Sequence, residues 1–499
     1  MVVVPQWRTV SETAARIRSV TPKSKRITVQ SLTSPSNLKD LGKTNGVIAV
    51  TIPSSLVRID HEELAKCLRT VSLVVFEDLH LLDEQYELAI TQLLSIIKPN
   101  KIRVVGIASS LNDPSDLASW LGVDSFSNYA FYPKDRGNPV TVAVKTFPLP
   151  HSATLLRMMT KPAYDVVKTA PGQTILFVPS RAACKAVAND MITQSGTEMD
   201  LNGFLTAPRA DVEPLLTRLR DISLHEPLLH GIGFLIPGAA PADMALVLEL
   251  FASGVLRVLI APRETCWTLP VRASTVGLMG AQYVTVSGRD GIDRRVVDYP
   301  RTEIVKMQGF AVASASHLAE GGRMFVMCQS EQAKSISALL TDGLPLESAF
   351  SSVLRRQSAN ETVAAFGRIL PYRQPPPRPQ VNRRRNTDYR KRDVMDLLGW
   401  TYFARRIASN PTYYEADRGE EVECVSRLVD EWFRGSADEY GPLPVIPDST
   451  TSNTDPMKDN APVTVTTGLA ASEIEDKDPS SAAAEIWNSR FDGIRPEPS

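Results

Sequence analysis

Three stretches of this chain combine side chains able to handle a phosphate, a metal or a proton. In VVFEDLHLLDE, Glu77, Asp78 and His80 close an apolar run. Two carboxylates at the end of a buried strand can hold a divalent cation on a nucleotide and orient water toward its terminal phosphate. A solvated acidic turn would use the same residues, so this stretch alone does not decide. In FVPSRAACKAVA, Ser180 and Arg181 occupy a strand-to-helix turn, and a hydroxyl and a guanidinium there are candidates for facing a phosphate backbone such as RNA's. The third stretch, 368–392, carries PPPRP, RRR (Arg383, Arg384, Arg385) and RKR, with nine Lys/Arg against the single acidic Asp388. It reads as an exposed loop. Phosphate contacts, a localisation signal or a solvated insertion would each account for it, and the last two are favoured.

Other signatures fail on their own spacing. HEELA, His61–Ala65, has Ala65 where a zinc site needs its second histidine. Gly42–Lys43–Thr44 ends like GxxxxGK[ST], but Asn37 stands at the first glycine position. Helix-like NLKDL precedes it and strand-like GVIAVTI follows, the reverse of the strand-then-helix context that cradles phosphates. The five cysteines are scattered without a CxxC pair, which suits buried thiols in a reducing compartment rather than a metal site. There is no GxSxG nucleophile elbow.

The elements that must position these residues read as α/β. Strands are expected at Val2–Val4, Arg26–Gln30, Val47–Ile52, Leu73–Phe76 and Arg103–Ala108, and again at Thr174–Val178, Arg257–Ala261, Thr275–Met279 and Arg323–Cys328. Most are continuous Val/Ile/Leu runs, as parallel strands buried on both faces require. Helical stretches such as Arg181–Thr193 and Pro241–Ser253 lie between them, giving two doubly wound parallel-sheet lobes that join near Pro148–Ser152. After Leu346 the pattern turns helical, with an amphipathic helix expected over Asp393–Ser409. Beyond Gly435 the composition is that of a disordered tail.

Taken in order, an acidic turn, an Ala-Ser-Ser strand, a Ser-Arg turn and a strand ending before Trp267 follow the succession of a superfamily-two helicase. The chain resembles the large spliceosomal DExH RNA helicases that carry two cassettes in tandem, specifically their C-terminal cassette, from about Val2 to Phe433. The most specific stretches are ASSLNDPSDLASWLG, FVPSRAACKAVA, DYPRTEIVKMQG, VMCQSEQAK, LPLESAF and TYFARRIASNPTYY. The related tandem-cassette helicases of the transcription-cointegrator and DNA-repair type are a weaker alternative. The resemblance implies RecA-like lobes at 1–149 and 150–345, a winged-helix-like region at 346–435 interrupted by the basic insertion, and a tail at 436–499. It also implies a cassette that regulates and binds protein rather than unwinding RNA.

Departures from an active helicase stand out against this resemblance. The chain starts at the strand that follows the family's phosphate-binding loop, so ATP and magnesium are expected only if that element lies upstream. Glu77–Asp78–Leu79–His80 inverts the acidic pair of Asp-Glu-x-His. KMQGFAVAS, which includes Gln308, stands in place of QxxGRAGR: Phe310 and Ala313 replace the two arginines that contact the γ-phosphate. Thr268 takes the position of the glycine usual after Trp267. Glu77, Asp78, His80, Gln308, Phe310 and Ala313 are thus read as a degenerate nucleotide site with no catalytic residue, metal or resident cofactor.

Bulk composition fits. The formal charge of -1 supplies no global attraction to nucleic acid, so RNA contact would be weak or local. No apolar run is long enough to span a bilayer. The expected function is a regulatory platform in pre-mRNA splicing, acting in the nucleus and binding spliceosomal proteins or a companion helicase cassette. The rivals are a fragment of an active ATP-dependent RNA helicase and an RNA-binding module acting through the basic loop.

Overall fold

The computed structural model describes residues 1–22, 27–38, 41, 46–199, 203–236, 238–287, 293–313, 321–355 and 394–439. Gly42–Lys43–Thr44, the basic insertion with Arg383, Arg384 and Arg385, and the tail from residue 440 lie outside the described residues.

Strands β1 (Val2–Val3), β2 (Thr28–Leu32), β3 (Val47–Thr51), β4 (Leu73–Phe76) and β5 (Arg103–Gly106) form a five-stranded sheet in the order β2-β3-β1-β4-β5. Every pairing in it is parallel. A second sheet contains β6 (Val140–Phe147), β7 (Thr174–Val178), β8 (Ile232–Phe234), β9 (Val258–Pro262) and β10 (Thr275–Met279). Strands β11 (Gln282–Ser287) and β12 (Asp293–Asp298) leave it as an antiparallel hairpin, and β13 (Gly322–Gln329) returns. The order is β6-β13-β10-β7-β9-β8, again all parallel. Strands β7, β9 and β10 are buried along their whole length, as their unbroken apolar runs require. The expected α/β class with two doubly wound parallel sheets is what the chain adopts.

Three features depart from the sequence reading. Strand β6 was not expected, and it pairs with β13, so the second sheet starts at Val140, ahead of the join placed near Pro148–Ser152. Its alternating VTVAVKTF is an edge-strand pattern rather than an apolar run. The single helix expected over Asp393–Ser409 is two, 394–398 and Tyr402–Ser409, separated at Gly399 and Trp400. The last helix, Glu421–Glu439, runs on past the boundary expected at Gly435.

The chain divides into two compact units. Both sheets fall in the first, Met1–Ser55, Cys67–Leu82 and Ile97–Leu346. Within it a short backbone bridge ties the segment after β5 to the segment after helix Ser330–Asp342. The Leu344 N–H donates to Ser110 O at 2.9 Å, and the Asn112 N–H to Leu344 O at 3.0 Å. This approach needs a glycine: at Gly343, φ is +100°, and a Cβ would stand 2.9 Å from the Leu111 carbonyl carbon.

The second unit, Leu56–Lys66, Asp83–Ile96 and the residues from Glu347, is helical among its described residues. It takes two segments from the stretch expected to belong wholly to the first lobe. Glu347 anchors it, accepting from Arg406 (2.6 and 3.0 Å), Asn410 Nδ2 (2.8 Å) and the Tyr414 hydroxyl (2.8 Å). Burial alone would raise the Glu347 carboxyl; these donors hold it below its ordinary value. All five cysteines are buried thiols outside any disulfide.

Candidate functional site

The acidic turn sits at the carboxyl end of β4, where parallel α/β sheets place their ligands. The Glu77 N–H donates to Val3 O at 2.9 Å, continuing the sheet, and Asp78 then turns left-handed at φ 52°, a conformation its short polar side chain tolerates. The Leu79 N–H donates to Ile107 O at 2.9 Å, which pins the turn to the strand beside it.

His80 is buried beneath this turn. Its Nδ1 accepts the Ser109 N–H at 3.1 Å, and its Nε2 lies 3.3 Å from the Ser109 hydroxyl. A ring nitrogen that accepts a backbone N–H carries no proton, so the neutral Nε2–H tautomer fits. Burial lowers the His80 pKa, Asp78 opposes, and Lys306 adds to the lowering. The Asp78–His80 approach of 4.0 Å is therefore a proximity of a carboxylate to a neutral ring, not an ion pair. Glu77 is half-buried, and desolvation, then Asp78, raise its carboxyl, while Arg16 and Lys306 pull the other way.

Lys306 was not singled out in the sequence, yet its charge acts on both Glu77 and His80. It belongs to helix Arg301–Gln308, and its ammonium lies 5.9 Å from the Trp267 ring centroid. The sequence signal was present: Lys306 opens KMQG, where the resembled pattern has glutamine. The other half of that pattern turns inward. Gln308 is buried, with Nε2 3.4 Å from Leu340 O. Phe310 is 8% exposed and packs on Phe177 of β7, with ring centroids 5.7 Å apart. The Ala313 N–H donates to Asn138 Oδ1 at 3.0 Å, and Asn138 Nδ2 donates to Ala311 O at 3.3 Å. Asn138, too, was missed; nothing local in GNPV announces it.

Structure thus brings Glu77, Asp78, His80, Ser109 and Lys306 together and leaves Ser180 and Arg181 elsewhere. The Ser180 hydroxyl caps helix Arg181–Thr197, accepting the Ala183 N–H at 3.3 Å. Arg181 is exposed and pairs with Glu264 at 3.0 Å. A buried pair, Arg263 and Glu303 at 2.6 Å, joins the end of β9 to helix Arg301–Gln308, and the guanidinium stacks 3.5 Å from the Tyr283 ring centroid. Among the described residues no group of His, Cys, Asp and Glu could hold a metal ion, and no helix is long and apolar enough to cross a membrane.

No family model matches the chain. Individual relatives do. The human U5 small nuclear ribonucleoprotein 200 kDa helicase is 29% identical over 399 residues, covering 78% of this chain and 17% of that protein. The pre-mRNA-splicing factor brr2 of Schizosaccharomyces pombe is 29% identical over 334 residues, 66% of this chain and 14% of that protein. An activating signal cointegrator 1 complex subunit 3-like protein of Dictyostelium discoideum is also 29% identical, over 386 residues, 73% of this chain and 16% of its own length. The chain therefore spans less than a fifth of the length of these relatives. With two parallel sheets, an acidic turn closing β4 and the Ser109 contact behind it, the chain is similar in sequence to the tandem-cassette DExH RNA helicases that include the U5 200 kDa proteins.

Proposed function

We propose that this chain is a helicase-like cassette serving pre-mRNA splicing in the nucleus as a protein-interaction platform, with a nucleotide site that no longer hydrolyses ATP. One observation carries the reading. At the position of the arginines that would meet a γ-phosphate, Phe310 is buried against Phe177 and the Ala313 N–H is held by Asn138. An arginine in such a place accelerates phosphoryl transfer by about 10³–10⁵, and a buried phenyl ring supplies no charge. The residues present do not fit a catalytic ATP–magnesium complex. Lys306 partly offsets the rise of the Glu77 carboxyl, and the acidic pair exchanges side-chain lengths relative to Asp-Glu-x-His, a displacement to which catalysis is sensitive. The likeness to the C-terminal cassette supports the platform role, since an intact two-sheet core persists around this site.

Hydrolysis assays should show no RNA-stimulated phosphate release. Release that depends on RNA and disappears in Asp78→Ala would favour the active-fragment reading instead. Affinity purification from nuclear extract should recover splicing proteins equally well before and after nuclease treatment. Recovery abolished by nuclease, and by neutralising Arg383, Arg384 and Arg385, would point to the RNA-binding reading.

A further inference from the structure

Hydrogen bonds close a ring that leaves His80 along the chain and returns to it through space. Helix Glu84–Asn100 starts just after the His80 turn and carries Glu87 in its first turn. Glu87 Oε2 accepts from the Ser348 hydroxyl at 2.8 Å. A little earlier in the chain than Ser348, Leu344 donates its N–H to Ser110 O and accepts the Asn112 N–H. Ser109, next to Ser110, donates its own N–H to His80 Nδ1 at 3.1 Å and completes the ring.

The closures are not surface contacts. His80, Glu87, Ser348, Leu111 and Leu344 are all buried, so a polar group that loses its partner here is left without water to replace it. The return stretch, residues 344–348, is also too short to loop: four peptide units reach about 14 Å at most. It is fastened at both ends. Glu347 is held by Arg406, Asn410 and Tyr414, and the Ser348 N–H donates to the Tyr414 hydroxyl at 2.9 Å. At the other end stands the bridge to Ser110 and Asn112. The chain passes from one compact unit to the other within this stretch, between Leu346 and Glu347.

We propose that residues 344–348 form a regulatory strap, through which tightening or loosening of the helical unit around Glu87 is felt at the His80 turn. Coupling of this kind requires an element with two discrete arrangements. Here it is the bridge of Leu344 to Ser110 and Asn112, either made or broken. When it breaks, Ser109 loses the neighbour that fixes its position, and its bond to His80 loosens with it. A protein that grips the helical unit thereby alters the acidic turn without touching it. The effect is reciprocal: whatever binds at the turn acts on the helical unit by the same factor. The strap goes beyond the platform reading and does not depend on it, since the ring exists without any partner.

Amide hydrogen exchange on the full chain reads each link: the Leu344 and Asn112 N–H groups report the bridge, and the Ser109 N–H reports the His80 contact. Ser348→Ala removes the hydroxyl that meets Glu87. It should speed exchange at Leu344, Asn112 and Ser109 together by about tenfold, the equivalent of one hydrogen bond, while interior amides of β7 and β10 keep their rates. Leu344→Pro deletes the donor to Ser110, and in that background Ser348→Ala should no longer change Ser109. Gly343→Ala, whose Cβ would meet Leu111, opens the same bridge if the proline variant fails to fold. Ser109 exchange that is indifferent to Ser348→Ala overturns the proposal. So does an acceleration at Ser109 that persists once the bridge is broken, because the coupling would then run along helix Glu84–Asn100 and not through the strap.

Discussion

Phe310→Arg is expected to destabilise the two-sheet unit by about 3–5 kcal/mol, the scale for leaving a buried charge uncompensated. The phenyl ring is 8% exposed and meets Phe177, a fully buried residue of β7. The backbone around it is committed as well: the Ala273 N–H donates to Phe310 O at 3.1 Å, and the Phe310 N–H to Met307 O at 3.1 Å. An arginine there must either push its guanidinium among Phe177 and its neighbours or swing the chain out of this turn. Phe310→Leu keeps the site apolar and should cost no more than about 1.5 kcal/mol. Thermal or urea unfolding checks both. An arginine variant that melts with the parent would show that the ring contributes nothing to the core. Pairing it with Ala313→Arg should still yield no hydrolysis, because Asn138 organises the Ala311–Ala313 backbone in place of a phosphate contact.

The sequence made the apolar skeleton legible because interior parallel strands are unbroken β-branched runs. Leu73–Phe76, Thr174–Val178 and Thr275–Met279 lie where those runs end. Strand β6 escaped because an edge strand alternates, and VTVAVKTF looks ordinary among polar segments. At the site, Glu77, Asp78 and His80 announced themselves by type and by their place after a strand. Asn138 did not, since its partners lie far along the chain, and Lys306 showed only as the residue at the glutamine position of the resembled pattern. Ser109 holds His80 across 29 positions, a contact set by neighbouring strands β4 and β5 rather than by local spacing. The break in the helix expected over Asp393–Ser409 has a similar origin. Gly399 weakens it locally, but the first turn of the new helix is fixed at the Phe403 N–H by a carboxylate 316 positions earlier in the chain.

That carboxylate, Glu87, makes the stability of the helical unit depend on pH. It is fully buried, its Oε1 accepts the Phe403 N–H at 2.7 Å, and its Oε2 lies 2.8 Å from the Ser348 hydroxyl. Burial pushes its pKa from 4.5 up to about 8, against the opposing pull of Ser348 and Phe403. Because the folded pKa exceeds the unfolded one, the folded state keeps a proton that the unfolded chain releases. The stabilisation is complete below about pH 4.5 and is lost as pH rises through about 8. Urea midpoints, followed by exchange protection of helix Tyr402–Ser409, should therefore fall between about pH 5 and about pH 9. Glu87→Gln carries no charge to desolvate, can accept from Phe403 and can donate to Ser348. It should match the parent near pH 5 and exceed it near pH 9 by an amount on the order of a few kcal/mol. Glu87→Ala should be weaker than both across the range, by about 1–3 kcal/mol for the orphaned Phe403 N–H alone. A glutamine variant whose midpoint falls with pH as steeply as the parent's would assign the dependence to another group and leave Glu87 ionised throughout.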